Sequence, residues 1–287
     1  MALLEHVVQP QEEGLRTKDI LAGMGLSRRE ISRLHTTRSV FRNGENERLA
    51  SIVHAGDVVS AHLSGKAEGK ALRMQGHVKP VYECERFVVV DKPSGMPCHA
   101  SREHPNDDMA TLLTRQYGKN ARPIGRLDKD VSGLMLYAFD QETAAFFHQQ
   151  RNDGDLAKTY VAILDNPLFG EGRLEFHLGK QKGTKGRKVM EEGKPCAMRY
   201  WALPGRMVRI VLETGRTHQI RAGLAGLGHP LAGDKLYGGD TREIERVALH
   251  CASLRLVHPD TGKIMEFQSP CPLDMRKLQG EENEVLW

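Results

Sequence analysis

The residues best placed to do chemistry lie in one stretch, PIGRLDKDVSGLMLYAFD, whose polar part GRLDKDVSG runs straight into the apolar run LMLYAF. Gly125 and Gly133 bracket Arg126, Asp128, Lys129 and Asp130. Apolar residues alternate at Leu134, Leu136 and Ala138, which predicts a buried strand. The charges therefore fall on a loop held against that strand, where a rigid scaffold can present a side chain to a cleft. Opposite charges within reach favour an ionised carboxylate, so Asp128 beside Arg126 and Lys129 would offer an oxygen nucleophile or a proton acceptor at neutral pH. The same residues also fit a plain turn, since Asp after Gly commonly caps or turns the chain. A calcium loop does not fit: Asp128, Asp130, Ser132 and Gly133 imitate its start, but Phe139 stands where a bidentate Glu is required.

A second constellation is VRIVLETGRTHQIRAGLAGLGHPLAGDKLYGG. Val208, Ile210 and Leu212 alternate as a strand, and Thr217 is placed to cap a helix HQIRAGLAGLG that ends at Gly228 and is stopped by Pro230. His218 and Arg221 are three residues apart and share one face near its start. Gly223 and Gly226 would let another backbone approach closely. The glycines do not make a dinucleotide fingerprint, and neither a phosphate loop nor a Gly-x-Ser-x-Gly elbow occurs. A third feature is a basic loop carrying Lys180, Lys182, Lys185, Arg187, Lys188 and Lys194, interleaved with Gly183 and Gly186. Such a loop either stays in solvent or meets nucleic-acid phosphates. His250 and His258 read as structural hydrogen-bonders, since no partner shows ligand spacing.

The elements that must position these groups follow from the rest of the chain. Its 287 residues suffice for one large domain or two unequal ones. Net charge +4 favours an anionic partner only weakly; where the charges lie matters more. Five scattered cysteines without a Cys-x-x-Cys pair point to reduced thiols, not to a zinc ribbon. No secretory leader and no run of 18 apolar residues is present, so a soluble, cytoplasmic protein is expected. Residues 1–14 read as a tail, 15–63 as a small domain, 64–80 as a Gly/Lys-rich linker and 81–287 as the main domain. In the small domain Ser27 and Glu30 form a capping box for a helix with Ile31 and Leu34 inside and Arg28, Arg29 and Arg33 outside. An Asn43–Gly44 turn and a strand VVSAHL follow. Beyond the linker, Phe87–Val90 reads as a buried strand, TLLTRQYG from Thr111 as a helix, and QETAAFFHQQRND as a helix facing inward through Ala144, Ala145 and Phe147. KTYVAIL is a strand with Tyr160, Ala162 and Leu164 on one face.

Taken in order, GRLDKDVSGLMLYA, KTYVAIL, ETGRTHQIRAGLAGLGHPLAGDKLYGG and ALHCASLRLVHPDTG resemble the successive motifs of the pseudouridine synthases of the RluA/RluD family. VVVDKPSGMPCHAS is similar to the strand and loop that open that family's catalytic domain. Residues 15–63 resemble the small RNA-binding domain first seen in the fourth protein of the ribosomal small subunit. The resemblance implies an α+β fold: a mixed, largely antiparallel sheet in two halves, flanked by helices, with the cleft across its middle and a small α/β RNA-binding domain in front. It implies an isomerase that breaks a uridine's N-glycosidic bond in structured RNA, turns the uracil and rejoins it through carbon. Ribosomal RNA is expected ahead of transfer RNA from the two-domain layout, and the family needs no metal and no cofactor; a monomer is the default.

On this resemblance Asp128 matches the catalytic aspartate, which either attacks the sugar carbon or removes a sugar proton. Arg221 matches the arginine paired with it, and Tyr160 the tyrosine that stacks on the base and can assist proton removal. Arg126 matches the arginine that fills the space of the flipped nucleotide, although Gly125 stands where many relatives have His. Arg28, Arg29, Arg33, Lys180, Lys182, Lys185, Arg187, Lys188 and His218 complete the expected RNA contacts. The competing expectation is a non-catalytic RNA-binding protein on the same scaffold.

Overall fold

The computed structural model describes residues 2–24, 26, 31–32, 34–35, 39–63, 77–101, 107–180, 183 and 186–280. The chain divides into two compact units, Met1–Ala71 and Leu72–Trp287.

The first unit is a four-stranded sheet in the order β1-β4-β2-β3, where β1 is Ala2–Val7, β2 Val40–Arg42, β3 Glu45–Asn46 and β4 Val58–Leu63. Residues 1–14 are therefore not a tail. Their backbone pairs antiparallel with β4 from Ala2↔Leu63 to Val7↔Val58, and Val8 is buried beyond it. The expected short helix is α1, Thr17–Gly23, with Ile20 and Leu21 inside. Asn43 and Gly44 both take positive φ, 51° and 86°. That is the primed turn whose twist suits a two-residue hairpin, here β2–β3. Ile31 and Leu34 join Val40, Val53 and Val59 in a separate small core. Ser27, Glu30, Arg28, Arg29 and Arg33 lie outside the described residues.

The second unit is built on an eleven-stranded sheet. Its strands are β5 Pro80–Glu83, β6 Phe87–Lys92, β7 Arg122–Ile124, β8 Ser132–Ala138, β9 Ala157–Ile163 and β10 Glu171–Lys180. They continue as β11 Arg187–Val189, β12 Lys194–Ala202, β13 Met207–Leu212, β14 Leu249–Val257 and β15 Ile264–Gln268. The order is β11-β10-β12-β13-β9-β14-β8-β6-β5, with β15 beside β14 and β7 beside β8. All pairs are antiparallel except β14–β8, which is parallel and registers only at His250↔Ser132 and Cys251↔Gly133.

This short seam makes the sheet bipartite, as expected of the α+β fold. Gly133 is required there: its φ is +111°, and a Cβ would stand 2.4 Å from the Cys251 carbonyl oxygen. β8 is buried at every residue rather than alternately, because both of its faces are covered.

The helices are α2 Met109–Tyr117, α3 Gln141–Asp153, α4 Gln219–Gly226 and the short α5 Leu273–Lys277. α2 starts before Thr111 because Asp108 is its N-cap, accepting from the Thr111 amide at 3.0 Å. α3 turns Thr143, Ala144, Phe147 and Gln150 inward and leaves Ala145 exposed. Gln150 belongs inside because its amide side chain pairs with the backbone of Val257 in both directions, at 2.7 and 2.9 Å.

Candidate active site

Asp128 sits on the loop between β7 and β8, and a second loop, residues 93–98, fastens that loop in place. The Lys129 carbonyl accepts from the Gly95 amide at 2.9 Å and from Lys92 Nζ at 3.1 Å, and Ser94 Oγ donates to the Asp130 carbonyl at 2.8 Å. Cys98 Sγ lies 3.2 Å from both the amide nitrogen and the carbonyl oxygen of Leu127. Lys92 is fully buried and also donates to the carbonyls of Pro93 and Met96 at 2.9 and 2.8 Å. Burial pulls its ammonium down to about 8, against the charges of Asp130 and Asp128 that favour it.

The sequence neighbours expected to surround Asp128 do not. Arg126 and Lys129 are exposed. The partner comes from the other half of the sheet: Arg221 Nη1 donates to Asp128 Oδ2 at 2.9 Å. Arg221 is buried, and its Nε and Nη2 both donate to Asp234, at 2.7 and 2.8 Å. Burial alone would lower the guanidinium; the bonds and charge of Asp234, then the charge of Asp128, outweigh it and raise it. Its plane also lies over the Tyr237 ring, 5.2 Å from the centroid.

α4 starts one residue later than expected. Its N-cap is His218, in the left-handed conformation at φ 57°, and not Thr217. No side chain caps the helix; Gln219 instead ties its first turn to the loop before it, its Oε1 accepting from the Arg216 amide at 3.0 Å and from Thr214 Oγ1 at 2.9 Å. The helix ends at Gly226. Gly223 and Gly226 make room for side chains rather than backbone, those of Phe176 on β10 and Val189 on β11.

This start carries the His218 ring into the site. Nδ1 lies 2.8 Å from Tyr237 Oη, and Nε2 lies 3.7 Å from Asp128 Oδ2. Tyr237 Oη accepts from the Arg187 amide at 2.8 Å. With a carboxylate facing Nε2, the tautomer that fits has Nε2–H toward Asp128 and Nδ1 accepting from the tyrosine hydroxyl. Burial lowers His218 from its ordinary value, Arg221 and Arg187 add to this, and Asp128 and Asp234 oppose it.

Asp128, Arg126, Tyr160, Arg216, His218 and Arg221 all line one open pocket of about 370 Å³, counted with its solvent mouth. Tyr160, on β9, is buried as part of its wall. Burial pushes its phenol well above the ordinary range, helped by Cys251 and by the charge of Asp128. The hydroxyl is thus protonated at neutral pH, suited to hydrogen bonding and to stacking. Arg126 and Arg216 are exposed at the mouth.

Of the basic loop, Lys180 ends β10 and Arg187 and Lys188 belong to β11, with Lys180 registered against Arg187. Among its described residues Arg187 is drawn to the site: its amide donates to Tyr237 Oη, and its charge acts on His218. Lys182 and Lys185 lie outside the described residues. Sequence reasoning missed Lys92, Arg216, Asp234 and Tyr237. A lysine closing an apolar strand and an aspartate set between glycines were the signals available.

The profile of the RNA pseudouridylate synthase family matches residues 86–226, which include Asp128, Tyr160 and Arg221. A relative from Bacillus subtilis, the uncharacterized RNA pseudouridine synthase YjbO, is 30% identical over 94% of this chain and 100% of its own. The ribosomal large subunit pseudouridine synthase D of Pseudomonas aeruginosa is 32% identical over 79% of this chain and 78% of its own. This chain belongs to the RluA/RluD family of RNA pseudouridine synthases. It is an isomerase that acts on uridine in RNA. The solved human RNA pseudouridylate synthase domain containing 1 shares the synthase fold, with a TM-score of 0.59 at 22% identity over 73% of this chain and 89% of that one. Asp234 and Tyr237 of this synthase lie beyond the span that the family profile matches. Among its described residues no helix is long and apolar enough to cross a membrane.

Proposed function

We propose that the chain converts specific uridines of large-subunit ribosomal RNA to pseudouridine, with Asp128 as the catalytic carboxylate. The observation that carries the assignment is the Asp128–Arg221 ion pair, 2.9 Å long, at the wall of the one pocket that also holds Tyr160. The ribosomal substrate is supported by relatives named ribosomal large subunit pseudouridine synthase D, such as those of Pseudomonas aeruginosa and Haemophilus influenzae.

A uridine within folded RNA must leave its stack to reach such a pocket, at a cost of a few kcal/mol that contacts inside offset. Arg126 and Arg216 at the mouth supply cations for the phosphates on either side, and the amino-terminal unit adds a second RNA contact. Asp128 then either attacks C1′ or removes the C2′ proton. Either way the N1–C1′ bond breaks and the uracil turns; C5 then bonds to C1′, which releases the Asp128 ester or returns the proton to C2′, and the C5 proton departs while N1 gains one. Tyr160 offers its ring face to the base. Its protonated hydroxyl makes it a donor in the free enzyme rather than a base.

The test is incubation of unmodified ribosomal and transfer RNA transcripts with the protein, followed by chromatographic analysis of their nucleosides. Pseudouridine in the ribosomal transcript alone is expected. Its appearance only in transfer RNA would overturn the substrate assignment, and an active Asp128→Asn variant would overturn the catalytic one.

A further inference from the structure

Arginine and carboxylate usually meet as a fork, two parallel N–H···O bonds that occupy both carboxylate oxygens. The pair at this pocket does not. Arg221 gives its fork to Asp234, through Nε to Oδ2 and Nη2 to Oδ1, and gives Asp128 a single bond from Nη1 to Oδ2. Asp128 Oδ1 makes no hydrogen bond among the described residues, although the residue lines the pocket. Asp234 is well built to hold the fork. It is fully buried, its amide donates to the Leu231 carbonyl at 3.1 Å, and its carbonyl accepts from the Gly239 amide at 2.9 Å. The turn is anchored to β9, where the Ala232 amide donates to the Ile163 carbonyl at 2.9 Å. Gly233 and Gly239 permit the winding, since a Cβ on either would stand 2.0 Å from a backbone oxygen.

We infer that Asp234 is a positioning residue of the isomerase: it takes the arginine fork, so that Arg221 anchors Asp128 through one oxygen and leaves the other available for the reaction. The inference rests on Asp128 as the reacting carboxylate. Without Asp234 the guanidinium is free to swing and clamp both oxygens of Asp128. The nucleophile or base would then be bound by its own anchor.

Three measurements test this. Asp234→Asn removes one acceptor oxygen and the charge while keeping the shape. Its kcat should fall roughly 10–100-fold, the effect of one charge-assisted bond misplaced, with KM for RNA changed less than about threefold because RNA binding is left alone. In an Arg221→Lys background, where no fork can form, the same change should cost little more. Equal costs in the two backgrounds, or a matched rise in KM, would mean a merely structural role and overturn the inference.

The third measurement needs no change at Asp234 and no activity. In ¹⁵N-arginine-labelled Asp128→Asn protein, the two Nη signals of Arg221 should remain distinct, because Asp234 alone still holds the fork. A single averaged signal would overturn the inference even if Asp234→Asn fails to fold. Absence of isomerase activity in the wild type would instead count against the proposed function and leave the arginine result readable.

Discussion

Replacing Gly133 with Ala should force apart the two halves of the large sheet at the seam between β8 and β14. The new Cβ would meet backbone, 2.4 Å from the Cys251 carbonyl oxygen and 2.5 Å from its nitrogen, with no flexible side chain to yield. The φ of +111° is strained for any L side chain, and sparsely populated backbone regions cost roughly 1–3 kcal/mol. Overpacking adds about 1–3 kcal/mol more. A loss of about 2–6 kcal/mol is a large part of the ~5–15 kcal/mol that keeps a domain folded. For a domain of ~200 residues each kcal/mol moves Tm by about 2–4 °C, so Tm should fall by roughly 4–24 °C. Gly118→Ala is the control: its φ is +64° and nothing lies within 4 Å of a Cβ there, so it should lose only the backbone share. Asp128 and Arg221 approach the pocket from opposite sides of the seam, so kcat of folded Gly133→Ala should fall more than KM rises. Calorimetry and steady-state kinetics on both variants decide it. Equal melting temperatures with wild-type turnover in Gly133→Ala would show that the seam tolerates a Cβ at this position.

Other consequences are simpler to read. Burial holds both His218 and His250 below the usual histidine range. The unfolded chain therefore takes their protons first, and stability should decline as pH falls below about 6.5, by up to ~1.4 kcal/mol per pH unit for each. His250→Gln should flatten that slope in urea titrations between pH 7 and 5.5, and an unchanged slope would contradict it. Arg216→Ala should raise KM for RNA and reduce the salt dependence of binding by about one phosphate contact, with kcat nearly unchanged; an unaltered salt slope would argue against a phosphate at the pocket mouth. Tyr160→Phe keeps the buried ring and should cost less than about 1.5 kcal/mol of stability. Urea unfolding of this variant showing a larger loss would mean that the contact of the hydroxyl with Cys251 is a main support of the core there.

The sequence displayed the parts of the site that are local. A polar loop running into an apolar strand marked Asp128, and spacing put His218 and Arg221 on one helical face. What joins them is not local: the Arg221–Asp128 bond spans 93 residues and the Ser132–His250 bond 118. Neighbours along the chain, Arg126 and Lys129, stood in for partners that only the fold could supply. Burial misled in a related way. Lysine is almost never fully buried unless paired, so nothing in the sequence singles out Lys92, yet it lies inside because three backbone carbonyls replace its water. Asp234 likewise looks like a turn residue until the arginine above it is placed. The amino-terminal strand was missed because a strand with Glu5 and His6 in it shows itself only through its pairing with β4.

If Asp128 is the carboxylate through which this synthase acts, tritium release from ribosomal RNA labelled at carbon five of uridine must depend on it. The wild-type protein should release tritium, and Asp128→Asn should release none while binding the same RNA with similar affinity. Release by Asp128→Asn at the wild-type rate would rule Asp128 out as that carboxylate.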